Sequence, residues 1–296
     1  MDLIIPTISQ GLLWALMAIG VYITFRVLDI ADLTVEGSFP LGAATAASLL
    51  LAGCHPLLAM VAACLAGMAS GIVTGILTTK LKIPALLAGI LTMIALYSVN
   101  LRIMGKANLP LLRVDTMFTL ADGTGLDNGQ ITLLVGFLVV FIVSVLCYWF
   151  FGTEIGTAVR ATGFNQHMIR ANGINTDHTI ILGLLISNGL VGMSGALVAQ
   201  SNGFADVGMG VGTIVIGLAS VIIGEVLFGT RSFKNCLISV ILGSIVYRIV
   251  IAVVLQMGMP PNDLKLFTAI LVAFALSMPL IQKHFSKQAR KVRDHA

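Results

Sequence analysis

Residues Gly152 to His178 read GTEIGTAVRATGFNQHMIRANGINTDH, a long polar run bounded by apolar segments on both sides. One apolar segment ends at Cys147 to Phe150 (CYWF) and the next begins at Thr179 (TIILGLL), and each is long enough to cross a bilayer. Arg160 and Arg170 within the run place it on the cytoplasmic side. Its punctuation predicts a short helix over 155–161 and an interruption at Gly163 to Asn165. A second short helix reaches Ala171, and Gly173 stops it. A compact helical elbow between two spans is a docking feature; the plainer reading is a loop that turns the chain around.

The rest of the chain supports a membrane frame for this elbow. Of 296 residues, 57% are hydrophobic and only 10% charged, with a mean hydropathy of +1.01; soluble proteins carry about 25% charged residues. The spacing predicts an all-α polytopic membrane protein, a single transmembrane domain over 1–296 with about nine (eight to ten) transmembrane helices. Expected spans are 8–27, 36–53, 57–79, 84–104, 131–151, 179–199, 213–229, 236–256 and 265–282. No basic leader precedes the first apolar segment, so it is expected to be a retained span.

Charge sets the orientation. With 152–178 inside, Arg26, Lys80, Lys82, Arg160, Arg170, Arg231 and Lys234 lie inside. So do the five basic residues of the tail at 283–296, making twelve of the seventeen Lys and Arg. The net charge of +4 needs no nucleic-acid partner to explain it. Nine spans put the N-terminus outside. The stretch 26–36, RVLDIADLTVE, is either a cytoplasmic turn or the unwound middle of a broken helix. Residues 105–130 form a long extracytoplasmic loop, and Gly-rich 200–212 reads as re-entrant or as an outer gate. Gly67, Gly71 and Gly75 stand on one helix face at the spacing that brings helices close, within the bundle.

Catalytic chemistry is hard to build from this sequence. It contains no GxxxxGK[ST] for nucleotide phosphates and no HExxH zinc motif. Gly192-Met193-Ser194-Gly195 resembles an intramembrane serine-protease motif, but no histidine lies in a later span to act as its base. The four cysteines have no CxxC spacing and read as packing residues. Neither a catalytic residue nor a metal ligand is expected. Ionisable and polar residues at membrane depth are instead candidates for a translocation pathway: Asp32, Glu36 and Ser38 at the 26–36 break, Asn202, Glu225 and Arg248. Each has a structural alternative, Glu225 by reaching the inner interface near Arg231 and Lys234. A self-sufficient secondary transporter or channel is one function class these residues permit.

Gly156, Arg160, Ala161, Asn165, Gly173, Ile174 and Asn175 spell G-x3-RA-x3-N-x7-GIN. This resembles the cytoplasmic signature of permeases of bacterial ABC importers, in the branched-chain amino acid and ribose superfamily. Leu28 to Ala47 and Ile222 to Thr230 resemble that family's early polar block and its later Gly-rich block. The wording ADLTVEGSF is most similar to a subgroup linked to uptake of amino acids, particularly aromatic ones. The chain departs from the family at Ile169 to Asn172 and at Glu225. The resemblance implies a bacterial inner-membrane permease working as a pair, a homodimer in the simplest case. Two separate cytoplasmic ATPase subunits would dock on 154–175, and an external binding protein would deliver the solute. ATP and Mg would be bound by the ATPase, with no cofactor in this chain. On this reading Gly156, Arg160, Ala161, Asn165, Arg170, Gly173, Ile174 and Asn175 couple the permease to the ATPase. Arg160 and Asn165 either contact that partner or cap the break internally.

Overall fold

A computed structural model describes residues 4–112, 114–120, 127–258, 260, 263, 266–270, 272–274 and 277. The first helix, α1 (Ile4–Tyr22), continues into a π turn at Ile23–Val27. After it the backbone leaves helical geometry, with Asp29 at φ 55°. The next helix, α2 (Val35–Leu51), has only seventeen residues, about 26 Å of rise against a hydrocarbon core of about 30 Å. The expected break at 26–36 is thus an unwound segment between a full helix and a short one.

Then follow α3 (Pro56–Thr79), α4 (Ala85–Met104), α5 (Asn128–Gly152), α6 (Glu154–Phe164), α7 (Gln166–Ala171), α8 (Thr176–Asn202), α9 (Thr213–Phe228) and α10 (Phe233–Gln256). Local chemistry explains the boundaries. Pro56 stands at the first position of α3 while the His55 ring accepts from the Leu57 amide. Gly105 at φ 69° closes α4, and Gly203 at φ 75° closes α8.

Seven helical segments among the described residues are long and apolar enough to cross a membrane, and α2 is a shorter apolar one. Eight of the nine expected spans are therefore helices. Of the ninth, 265–282, half the residues are described (266–270, 272–274 and 277) and these are helical; the basic tail lies outside the described residues.

The bundle is apolar outside and partly polar within. Leu58 and Leu65 on α3, Ile94 on α4 and Phe137 and Phe141 on α5 are exposed, as suits helices facing acyl chains. The centre is α8, whose glycines and serines let neighbours approach closely. A Cβ on Gly67 would lie 2.2 Å from the Asn188 carbonyl oxygen, and one on Gly71 would lie 2.3 Å from that of Leu184. The α3 glycine stripe is thus spent inside the bundle, against α8. Ser194 donates to the Leu13 carbonyl of α1 at 2.7 Å, so GMSG is a packing motif here.

The two connections singled out by sequence meet. Strand β1 (Asn108–Pro110) pairs antiparallel with β2 (Phe204–Asp206), with Asn108 opposite Asp206 and Pro110 opposite Phe204. A 3-10 turn, Val207–Gly210, follows β2 and re-enters the bundle. A Cβ on Gly210 would sit 2.0 Å from the Glu36 carbonyl oxygen.

Candidate functional site

The elbow is built by successive caps. Thr153 opens α6, its hydroxyl accepting from the Gly156 amide at 3.2 Å. Asn165 has extended backbone, so it ends α6 and opens α7, its side-chain oxygen accepting from the Met168 amide at 3.1 Å. Gly173, at φ 82°, supplies the left-handed turn after α7. Asn175 then opens α8 by accepting from the Asp177 amide at 2.9 Å. Asn165 therefore caps the break internally, one of the two roles considered for it.

The elbow is held against five membrane elements: the end of α1, α5, α8, the α3–α4 turn and α10. A Cβ on Gly163 would lie 1.9 Å from the Val27 carbonyl oxygen, so α6 rides directly on the π turn that ends α1. Gly156 packs closely on α5, where an added Cβ would lie 2.1 Å from the Phe150 carbonyl oxygen. The Thr162 and Thr179 hydroxyls share a buried 2.8 Å hydrogen bond between α6 and α8. Arg170 donates to the Thr176 hydroxyl at 2.7 Å. Asp177 gathers Lys80, Lys82 and Arg170 at 3.6, 3.9 and 3.9 Å. These exposed pairs add little stability, but they tie the α3–α4 turn to the elbow. Arg160 sits 4.8 Å from the centre of the Phe233 ring at the start of α10. Ala161 is half-buried on the same helix.

Among the mostly polar residues that face water on the elbow, four are apolar. Phe164 is 90% exposed at the tip between α6 and α7, with Ile155, Met168 and Ile174 exposed along the same elbow. Phe164 in particular presents almost its whole ring to solvent. Sequence reasoning passed over Phe164 because it read Gly-Phe-Asn as punctuation.

A second polar constellation lies within the bundle. Asp32 is buried in the unwound segment. One carboxylate oxygen accepts from the Thr34 amide at 2.9 Å, and the other from the Asn188 side chain at 2.8 Å. Asn188 is the thirteenth of the 27 residues of α8, so the unwound segment is anchored to that helix's middle. The Asn188 side-chain oxygen accepts from Ser38 at 2.7 Å. Hydroxyls of Thr34, Thr74 and Thr92 continue the chain at 2.7 and 2.9 Å across α3 and α4. Glu36 lies apart, its carboxylate accepting from the Gly212 amide at 3.1 Å. Gly212 precedes α9, so the beginnings of α2 and α9 meet.

The remaining candidates are dispersed. Glu225 pairs with Arg26 at the elbow end of α9. Asn202 is exposed at the far end of α8. Arg248 lies on α10 with its guanidinium 4.1 Å from the centre of the Trp14 ring. Asn188 and Trp14 were not singled out by sequence. The available signal was modest: an asparagine in the middle of a long apolar run, and one of two tryptophans in the chain.

Residues 3–276 match the family described as branched-chain amino acid transport system / permease component. A tyrosine transport system permease protein of Clostridioides difficile (strain R20291) is 44% identical over 270 residues, covering 91% of this chain and 88% of that one. The galactofuranose transporter permease protein of Escherichia coli (strain K12) is 27% identical over 269 residues, covering 88% and 75%. Among solved structures, an inward-facing metal-chelate type ABC transporter matches with a TM-score of 0.51 at 14% identity. That match covers 95% of this chain and 85% of the other, and it is a likeness of fold.

Proposed function

Because the chain belongs to the branched-chain amino acid transport permease family, we propose that it is the membrane subunit of an ATP-driven amino-acid importer of the bacterial inner membrane. Tyrosine or another aromatic amino acid is the leading solute, by analogy with the 44% identical relative. The working assembly is two permease copies, two cytoplasmic ATPase subunits that bind ATP and Mg, and an external binding protein. Its fold in the membrane is nine spans with the N-terminus outside, which puts the elbow and the basic tail on the ATPase side.

One observation carries the coupling role. The elbow exposes an apolar ridge at Phe164 while Gly163, the preceding residue, is in backbone contact with the end of α1. A force applied at Phe164 is therefore delivered to α1 through α6, and to α8 through Thr162 and Thr179. Gly156, Asn165, Gly173 and Asn175 hold the elbow's shape. Arg160 and Ala161 seat it near α10, and Arg170 fixes it to the start of α8. Ile174 extends the docking ridge.

The gating role falls to the two interrupted segments. The unwound segment 28–34 and the 3-10 turn meet around Glu36. Their irregular backbone at membrane depth is covered by protein, the condition under which such backbone persists. Asp32, Glu36 and Ser38 border the path there, Asn202 marks its external end and Arg248 stands along it. The test is ATP hydrolysis by the complete assembly in lipid nanodiscs, with liganded binding protein added. Stimulation that depends on the amino acid and is lost in Arg160→Ala supports the reading. A chain that recruits no ATPase and moves solute down an ion gradient overturns it.

A further inference from the structure

Arg248 is a charged residue deep in an apolar helix, and its only partner among the described residues is an aromatic face. No carboxylate pairs with it there. Its Nε atom is buried with no hydrogen-bond partner. The same is true of the indole Nε1 of Trp14, the ring over which the guanidinium sits. Two of the four buried, unpartnered side-chain polar atoms among the described residues thus belong to one stacked pair. Leaving such a donor unsatisfied is costly, and more so where the group is charged. Native structures keep this arrangement where something else supplies the acceptor.

The space for that acceptor is present. Arg248 lines an open cavity of about 420 Å³ between α1 and α10, with Gln10, Ile251, Leu255 and Gln256. Gln10 donates to Ser201 of α8 at 3.2 Å, which puts the cavity in the half of the bundle away from the elbow. Arg248 precedes Gln256, the last residue of α10, by eight positions, or about 12 Å of helix rise. That depth is below the headgroup region and within the hydrocarbon layer, where a lone guanidinium calls for an anionic partner from a water-filled path. The acceptor must be anionic, planar enough to lie against a guanidinium and small enough for the cavity. A carboxylate meets all three requirements, and its two oxygens match the paired donors of a guanidinium.

We propose that Arg248, backed by Trp14, is the receptor for the α-carboxylate of the transported amino acid on the side of the permease opposite the elbow. This deepens the importer reading and rests on it. Trp14 orients the guanidinium through its ring face. Phe39, whose ring centroid is 5.1 Å from that of Trp14, holds the indole from behind. α2 carries Phe39 and also Glu36, so occupancy at Arg248 is linked through one helix to the junction with α9.

Trp14 reports on its own site. The chain has two tryptophans, and Trp149, 68% exposed on α5, is removed by Trp149→Phe. The full chain with that change is placed in phosphatidylcholine nanodiscs and excited at the red edge of the indole band, where phenols absorb little. L-tyrosine, L-phenylalanine and L-leucine are titrated to solubility or about 20 mM, enough to populate a millimolar site. Tyramine and the corresponding amino-acid amides are the controls lacking a carboxylate. The expected result is a saturable change in Trp14 emission with an amino acid and none with the amides or tyramine. Arg248→Gln abolishes it and Arg248→Lys weakens it about tenfold.

An equal response to the amides, no response to any carboxylate, or a response that survives Arg248→Gln overturns the proposal. A response to phosphatidylglycerol in place of phosphatidylcholine, with none to solutes, assigns the site to a lipid phosphate and also overturns it. The carboxylate-versus-amide comparison needs no Arg248 variant, so a misfolded variant leaves the test intact. Amino-acid uptake by the full assembly is measured separately. Uptake with a silent Trp14 defeats this inference alone, whereas absence of uptake defeats the importer reading.

Discussion

The Glu36 carboxylate accepts a hydrogen bond from the Gly212 amide at 3.1 Å, joining the first turn of α2 to the residue that precedes α9. The contact spans 176 residues of sequence, and both helices present their positive ends to the same carboxylate. Glu36→Gln keeps an acceptor oxygen but removes the charge, at about 0.3–1 kcal/mol. Uptake kinetics are expected to change while ATPase recruitment does not. Glu36→Ala leaves the Gly212 amide without its acceptor and is expected to lower stability by about 1–3 kcal/mol. Uptake in cells, set against pull-down of the ATPase, checks both variants; unchanged uptake in Glu36→Gln removes Glu36 from the pathway.

Phe164→Ser is expected to leave the fold untouched, because a side chain 90% exposed has almost no packing to lose. Its effect belongs to the partner: a truncated aromatic anchor costs about 2 kcal/mol or more of binding, roughly thirtyfold in affinity. Thermal unfolding of the isolated permease should match wild type while ATPase co-purification falls. If co-purification is normal, the ridge is not the docking surface.

Gly163→Ala tests the mechanical link. The new methyl would meet the Val27 carbonyl oxygen at 1.9 Å, and backbone on both sides leaves little room to yield. A destabilisation of about 1–3 kcal/mol is expected, together with ATP hydrolysis that no longer depends on liganded binding protein. Gly152→Ala, whose added Cβ meets nothing within 4 Å, is the matched control. Equal coupling in the two variants would argue against transmission through α1.

Asn188→Leu removes both the donor to Asp32 and the acceptor for Ser38. Asp32 then keeps only the Thr34 amide, and a loss of about 3 kcal/mol is expected. In a double-mutant cycle, Asp32→Ala with Asn188→Ala should cost clearly less than the sum of the two single changes. Additive costs would mean that the pair does not cooperate in holding the unwound segment.

Hydropathy placed the helices because a span is a local property, and eight of the nine expected segments are found as helices. Residues 152–178 were divided at nearly the right points. Gly163, Asn165 and Gly173 act through their own backbone and caps, and such effects need no distant partner. Phe164 was missed because exposure is decided by where the rest of the elbow packs. The pairing of 108–110 with 204–206 was missed because strand pairing is a long-range contact.

The sequence by itself determined that this is a helical membrane protein with a capped elbow and a family signature upon it. Those properties are written in runs of neighbouring residues. Tertiary structure alone decided which intramembrane polar groups meet. Asp32 finds Asn188, Glu36 finds Gly212, Glu225 finds Arg26 and Arg248 finds Trp14. The partners in each pair stand more than 150 residues apart, and helix packing brings them together. In an apolar bundle the partners open to each such group are those that packing places beside it.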